Sequence, residues 1–176
     1  MKRTVSLLAL LAALCCLLTV SAAAADAPTS GTCGENLTWA LDGAGTLTIA
    51  GEGAMEEYES AKMAPWYQSR DKVKTVVVEN GVTTISQSAF YNYSGLTNVT
   101  IPESVTSIGR NAFDDCRGLT DVYITDIDAW CGIDFANYGA TPMYYALGHA
   151  RNIYLNGEKI VSVTVPEGIT EVKPYT

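Results

Sequence analysis

The chain has 176 residues and carries 19 Asp and Glu against 11 Lys and Arg, which gives a net charge of −8 at pH 7. Nucleic acids and anionic membrane surfaces are bound through clusters of Lys and Arg, so this balance argues against both as partners. An acidic chain of this length suits one soluble domain.

Residues 1–25 have the features of a leader that is not part of the fold. A positively charged start precedes an apolar run over residues 5–20, and small residues follow at 21–25. This order is typical of a secretory signal peptide, here cleaved between Ala25 and Asp26. The alternative is a retained transmembrane helix, which we disfavour because the apolar run is short and no stop-transfer segment follows. We therefore expect a protein that is secreted or held at the cell surface, with no membrane insertion after cleavage.

Residues 26–72 are predicted to form an N-terminal β cap. Two segments on either side of the turn cluster 42–45 show strand-like alternation, which predicts a β-hairpin. The alternating apolar residues are Leu37, Trp39, Leu41, Leu47 and Ile49. Residues 51–64 are polar and predict a loop, and Pro65 opens a short turn or helix. We expect Trp39 and Trp66 to seal the apolar face of the first repeat, because the end of a stacked array needs a cover.

A phrase that occurs twice in immediate succession is the most informative pattern. Residues 73–95 are VKTVVVENGVTTISQSAFYNYSG, and residues 96–118 are LTNVTIPESVTSIGRNAFDDCRG. The apolar residues at shared offsets are Val73, Val76, Val78, Val82 and Ile85, then Leu96, Val99, Ile101, Val105 and Ile108. A fixed period of this length indicates small units that bury a continuous core by stacking. Each unit is predicted to open with a strand and to close with a short helical turn at its Ala-Phe pair.

The repeat array is predicted to continue through residues 73–176 with two irregularities. The third unit starts in register at Leu119 and is then interrupted by an insertion at about residues 126–151. Asn156-Gly157 predicts a hairpin between 152–155 and 158–165. A fourth unit reproduces the apolar offsets from Ile160 onward and is incomplete at Thr176. We hypothesise a fragment of a longer protein; the rivals are a blunted edge at residues 173–176 or self-association through the open C-terminal edge.

The two full units resemble the BspA-like subclass of leucine-rich repeats, whose pattern is LxxLxLPxSLxxIGxxAFxxCxx. Residues 96–118 match nearly throughout, and residues 73–95 match with Glu79, Ser86 and Tyr93 replacing Pro, Gly and Cys. The resemblance implies a mainly β leucine-rich repeat solenoid with short helical turns behind a β-hairpin cap. It also implies a secreted or surface-displayed bacterial protein that binds proteins or surfaces as an adhesin, or an accessory repeat region of a larger secreted protein.

Alternate residues of each opening strand point away from the core, so stacking aligns them into ladders that form a candidate ligand face. The first predicted ladder is Val77, Thr100, Tyr123 and Thr164, and the second is Thr75, Asn98, Asp121 and Ser162. A third contains Lys74, Thr97, Thr120 and Val161. Tyr123 is the predicted anchor for a protein or glycan partner. The competing interpretation is an ordinary solvated sheet face rich in Thr. Aromatic residues of the insertion offer a second surface, although we favour their packing on the solenoid.

Catalytic chemistry is not predicted. His149 is the only histidine, and the acidic pairs Asp114-Asp115 and Asp126/Asp128 are explained by solvated faces. No phosphate-binding loop, calcium loop or nucleophile elbow occurs, so we predict no catalytic, cofactor-binding or metal-binding residues. Cys33, Cys116 and Cys131 remain after leader cleavage; three free thiols are favoured over a Cys116–Cys131 bridge.

Overall fold

The computed structural model describes residues 29–143 and 151–162, which form two β-sheets, two 3-10 helices and one α-helix. The strands are β1 (Ser30–Thr32), β2 (Leu37–Leu41), β3 (Thr46–Gly51), β4 (Gly53–Ala54), β5 (Thr75–Val78), β6 (Val82–Ile85), β7 (Asn98–Ile101), β8 (Ser107–Ile108), β9 (Asp121–Ile124), β10 (Asp134–Phe135), β11 (Asn152–Leu155) and β12 (Glu158–Lys159). The larger sheet has the order β1-β2-β3-β5-β7-β9-β11-β12, and the smaller has the order β10-β8-β6-β4. The predicted leader, residues 1–25, lies outside the described residues.

The predicted N-terminal hairpin is confirmed and is continuous with the repeats. β2 and β3 pair antiparallel with Trp39 opposite Ile49, and buried residues alternate with exposed ones along β2. β3 then pairs in parallel with β5, so that Leu47 lies opposite Val76. The sequence does not predict β1, which pairs with the outer edge of β2 and places Gly31 opposite Trp39. A Cβ at Gly31 would lie 3.0 Å from the indole Nε1 of Trp39, so glycine leaves room for this ring.

The opening strands of the repeats stack in register, as the repeat pattern predicts. β5, β7 and β9 are parallel, and the equivalent residues Val76, Val99 and Val122, one from each unit, lie opposite one another. All three valines are fully buried. Their burial removes apolar area from water in every layer, which is the main stabilising contribution that an array of short units has. This arrangement confirms a mainly β repeat architecture.

The smaller sheet is a feature that the sequence does not predict as such. Ile85, Ile108 and Phe135 lie opposite one another in the parallel strands β6, β8 and β10, and all are buried. Val82 and Ile108 point inward, as the repeat pattern predicts. The structure shows in addition that each belongs to a short strand. β4 adds to the edge of this sheet, so the predicted loop 51–64 contains a two-residue strand.

The Ala-Phe pairs build an aromatic column on the third side of the coils. The rings of Trp66 and Phe90 stack with centroids 5.7 Å apart, and those of Phe90 and Phe113 stack at 5.2 Å. Trp39 meets Trp66 edge-on at 5.9 Å. The indole N–H of Trp66 donates to the carbonyl of Ala89 at 2.9 Å, which satisfies its only donor inside the core. Both tryptophans thus cover the apolar end of the first repeat, as predicted.

The third coil is longer than the others because it contains the insertion. Asn98 pairs with Asp121 at the regular repeat interval, whereas Asp121 pairs on its other side with Asn152, which follows the insertion. Part of the added length is helix α1 (Ile127–Gly132), whose first turn is capped by the Asp126 carboxylate accepting from the backbone N–H of Ala129 at 2.7 Å. The rings of Trp130 and Phe135 are buried edge-on at 5.5 Å. These two aromatics therefore pack on the solenoid, as favoured from the sequence, whereas Tyr138 of the same insertion is 50% exposed. Tyr144 and Tyr145 lie outside the described residues.

The position of the fourth strand differs from the prediction. β11 pairs in parallel with β9, whereas the repeat offsets predicted that residues from Ile160 onward would follow the third unit. The hairpin at Asn156-Gly157 is confirmed, because β12 returns antiparallel to β11 with Tyr154 opposite Lys159. Both turn residues have positive φ, 50° and 87°, as the tight hairpin turn requires. Most of the predicted fourth unit, residues 163–176, lies outside the described residues.

Candidate functional site

The outward residues of the stacked strands form two continuous rows, as the sequence predicts for the first three coils. In one row Val77, Thr100 and Tyr123 are successive partners, and in the other Thr75, Asn98 and Asp121 are. Each of these six side chains is partly exposed. The rows extend into the hairpin, where Thr48 pairs with Val77 and Thr46 with Thr75. One flat face therefore runs from the hairpin across the repeats.

The fourth member of each row is not the predicted residue. Asn152 pairs with Asp121, and Tyr154 pairs with Tyr123. The prediction of Ser162 beside Asp121 is therefore wrong, and Ser162 lies exposed beyond β12. Thr164 lies outside the described residues, and the position assigned to it beside Tyr123 is held by Tyr154.

The third row is corrected in the same way. The backbone N–H of Asn152 donates to the carbonyl of Thr120 at 2.8 Å, just as the backbone N–H of Asp121 donates to the carbonyl of Thr97 at 3.1 Å. Val161, the predicted fourth member, is 90% exposed and lies outside both sheets. Arg151 precedes β11, and its guanidinium donates to the carbonyls of Pro142 and Cys116.

A pair of stacked tyrosines is the most distinctive feature of this face. The ring centroids of Tyr123 and Tyr154 lie 4.7 Å apart with an interplanar angle of 15°. The two residues are opposite one another on parallel strands, which is the geometry that lets cross-strand aromatic rings stabilise each other. Both rings are partly exposed, so they present their edges and hydroxyl groups at the surface of the sheet.

A polar cluster lies beside the tyrosine pair in the neighbouring row. Asn152 donates from Nδ2 to Asp121 Oδ1 at 2.7 Å, and the Thr120 hydroxyl donates to Asp121 Oδ2 at 3.0 Å. The pKa of the Tyr154 hydroxyl is raised, first by partial loss of water contact and then by the negative charge of Asp121. Tyrosine is neutral at physiological pH even without this shift, so the Tyr154 hydroxyl can donate a hydrogen bond there. The cluster combines fixed hydrogen-bonding groups with aromatic edges, which is a composition suited to recognition.

The chemically reactive groups that the sequence offers have structural roles or lie elsewhere. Cys33, Cys116 and Cys131 are free thiols, as favoured from the sequence. The Cys116 thiol donates to the carbonyl of Phe90 at 3.1 Å, and burial raises its pKa to about 12, which keeps it protonated. Burial and the nearby Glu56 carboxylate raise the pKa of Cys33 to about 11.

One member of each acidic pair has a local structural role. Asp126 caps helix α1, and Asp115 accepts from Arg117 at 3.2 Å. His149 lies outside the described residues. Across residues 29–143 and 151–162 no cluster of three or more His, Cys, Asp or Glu side chains is arranged to hold a metal ion. Within those same ranges no helix has the length and apolar character needed to cross a bilayer.

Comparison with known proteins identifies the repeats. The family model described as the BspA type leucine-rich repeat region (6 copies) matches residues 65–140. A leucine-rich repeat protein from Eubacterium ventriosum is similar at 32% sequence identity with a TM-score of 0.55, over 63% of this chain and 29% of that protein. This chain therefore spans less than a third of the length of the Eubacterium protein.

Two further solved structures are similar at lower identity. One is a leucine-rich cell surface protein from Faecalibacterium prausnitzii, at 21% identity and a TM-score of 0.35 over 77% of this chain and 45% of that one. The other is a leucine-rich repeat protein from Bacteroides ovatus, at 24% identity and a TM-score of 0.32 over 61% and 35%. No curated protein matches the chain.

The repeat pattern, the register of the strands and the family match agree with one another. The pattern recurs at a fixed interval, and the strands that contain it pair in parallel at the same interval. Residues 65–140 match a leucine-rich repeat region of the BspA type, and their fold is similar to that of a bacterial leucine-rich repeat protein.

Proposed function

We propose that this chain is an exported, non-enzymatic binding module of a bacterial cell-surface or secreted protein. The module attaches that protein to a protein or glycan partner. The binding surface is the outward face of the larger sheet, centred on Tyr123 and Tyr154. The observation that supports it best is the stacked tyrosine pair beside the Asp121–Asn152 hydrogen bond, at the end of a continuous strand face. Export rests on the leader-like composition of residues 1–25.

The rigidity of this face favours binding. Its residues lie on strands that are hydrogen-bonded to neighbours on both sides, and the buried valines beneath them fix the backbone. The side-chain hydrogen bonds of Asp121 hold the polar groups in place before a ligand arrives. A surface that is ordered in advance loses less entropy when it binds, and tyrosine supplies contact area at a small entropic cost.

The test is binding of the purified chain to immobilised extracellular-matrix proteins and mucins, measured by surface plasmon resonance. Replacing both tyrosines, Tyr123→Ala with Tyr154→Ala, should weaken binding about tenfold or more, because central aromatic anchors dominate interface energies. The matched control is Tyr138→Ala, which removes an exposed tyrosine in a turn outside the strand face. Equal binding by the double variant and the parent would remove the strand face from the proposal.

A second candidate function is a spacer or accessory repeat region within a larger secreted protein. The observation that favours it is that this chain spans only 29% of the similar Eubacterium protein. If the region is a spacer, a longer protein that contains these repeats should still bind its partner when both tyrosines are replaced. Deleting whole repeats should instead shorten the distance that the longer protein can span. Attachment that depends on the tyrosines would instead assign binding to this region.

A further inference from the structure

A polar groove on the turn side of the coils carries an inference separate from the strand face. It has a volume of about 650 Å³, within the usual range for small-ligand sites. One wall comes from the bend at Glu59, from the first 3-10 helix (Ala61–Met63) and from the second 3-10 helix (Tyr67–Lys72). The floor comes from the closing turns of the first two full repeats. The groove and the strand face share no residue.

The floor of the groove is held rigidly by hydrogen bonds between successive coils. The backbone N–H groups of Ser88 and Asn92 donate to the carbonyls of Arg110 and Asp114, at 3.0 and 2.9 Å. The wall is joined to the floor because the Gln87 amide donates to the carbonyl of Glu59 at 3.3 Å. These bonds order the groove before any ligand binds, which lowers the entropic cost of binding.

The chemistry of the lining suits a neutral polar ligand. Lys62 and Arg70 carry positive charge, and Glu59 and Asp114 carry an equal negative charge. Gln87, Ser88, Asn92 and Asn111 offer groups that both donate and accept hydrogen bonds. Saccharide hydroxyls also donate and accept, so this lining complements a carbohydrate better than it complements an anion or an apolar chain.

Two tyrosines give the groove its apolar surface. Tyr91 is 37% exposed and lies in the floor, where its ring is open to a ligand. Tyr67 lies in the wall, and the Arg70 guanidinium covers its ring at 4.5 Å, where the Arg70 Nη1 also donates to the Tyr67 carbonyl at 3.3 Å. Tyr91 is therefore the ring that a sugar would contact. All the lining residues lie in turns, bends and 3-10 helices, so the groove offers no strand edge to an extended peptide.

We infer that this groove is a second binding site, which takes a short neutral oligosaccharide stacked on Tyr91 and hydrogen-bonded to the amides of the closing turns. Balanced charge, an ordered floor rich in amide side chains and one partly exposed aromatic ring together carry the inference. Because the strand face is a different surface, each site can fail its test without the other.

The test is isothermal titration calorimetry of the purified chain with four neutral probes: cellohexaose, xylohexaose, mannohexaose and chitohexaose. At least one should bind with a Kd of about 1 mM or tighter. Tyr91→Ala should weaken that binding about tenfold, which corresponds to about 1.4 kcal/mol. Tyr91→Phe should retain it, because the ring remains. Tyr138→Ala, which removes an exposed tyrosine outside both the groove and the strand face, should bind as the parent does.

Several results would overturn the inference. They are the absence of binding by all four probes, undiminished binding by Tyr91→Ala, or an equal loss of binding in Tyr138→Ala. Tighter binding of an anionic hyaluronan hexasaccharide than of any neutral probe would overturn the assignment of a neutral ligand. Circular dichroism of each variant should match the parent, so that a change in binding is not a change in folding.

Discussion

Phe90 connects the N-terminal hairpin to the repeats through its ring contacts. It stacks between Trp66 and Phe113 at 5.7 and 5.2 Å and meets Tyr93 edge-on, and it is fully buried. Two successive layers of the fold therefore depend on one side chain. This link between layers explains why the Ala-Phe pair recurs in both full units, in addition to the apolar residues of the strands.

Phe90→Ala should destabilise the protein by about 3–5 kcal/mol, since it removes a buried ring and leaves a cavity in a column that cannot collapse without moving both neighbours. The adjacent Tyr91→Ala is the matched control, and it should change stability by about 0.5 kcal/mol or less, because that ring is substantially exposed. Urea unfolding followed by circular dichroism measures both. Similar losses in the two variants would contradict a stabilising column.

At the scale of the element, the closing turns depend on residues that accept left-handed backbone conformations. Ser88 and Asn92 have φ of 55° and 61°, and the equivalent residues of the next unit, Asn111 and Asp115, have φ of 56° and 58°. Asn and Asp, which hold three of these four positions, occupy this region at low cost because their short polar side chains bond locally. The repeat pattern therefore constrains these positions although none of the four residues is buried.

Replacing Asn92 by alanine should cost about 1–2 kcal/mol, because alanine pays the steric penalty of a left-handed conformation. Asn92→Gly is the matched control and should be close to neutral, since glycine has no Cβ to clash. Thermal unfolding of the two variants compares them directly. Equal stability of the alanine and glycine variants would show that the turn relaxes to another conformation.

The elements that were predicted from the sequence are those with a clear period. Alternation identified β2 and β3, and the repeat identified β5, β7 and β9. Two-residue strands such as β8 are too short to show a period, so the smaller sheet was predicted only as inward residues. The left-handed conformations of Asn111 and Asp115 were not predicted either. They are indicated by short polar side chains and not by the spacing of apolar residues.

The candidate site was predicted for three coils and missed in the fourth for a physical reason. Helix α1 lengthens the third coil, so a fixed interval no longer locates the next strand. A local signal was present: Asp121–Ile124 reads DVYI and Asn152–Leu155 reads NIYL, a polar residue and a tyrosine at the same places. This likeness between the two segments, taken without the fixed interval, predicts Asn152 and Tyr154 as the fourth members of the two rows.

At the scale of the molecule, the fold is a stack in which each layer is stabilised by its neighbours. β5, β7 and β9 have a hydrogen-bonded strand on both sides, whereas β1 and β12 are the outermost strands of the larger sheet. Ion pairs add little: the two found in the described ranges are Arg70–Asp71 at 3.9 Å and Arg117–Asp115 at 3.2 Å, both partly exposed. The free energy of local unfolding should therefore be highest in the most buried layers and should fall toward the two ends of the stack.

Hydrogen exchange followed by mass spectrometry tests this gradient. Amides of β5, β7 and β9 should exchange slowest, because they open only when buried layers separate, and those of β12 should exchange fastest. β12 is short and exposed, and no strand among the described residues pairs with its outer side. Protection of β12 that rises with protein concentration would mean that a second chain covers this edge, which is the self-association that the sequence leaves open as an alternative to a fragment. Uniform protection at every concentration would contradict a layered stack and indicate that the whole array opens as one cooperative unit.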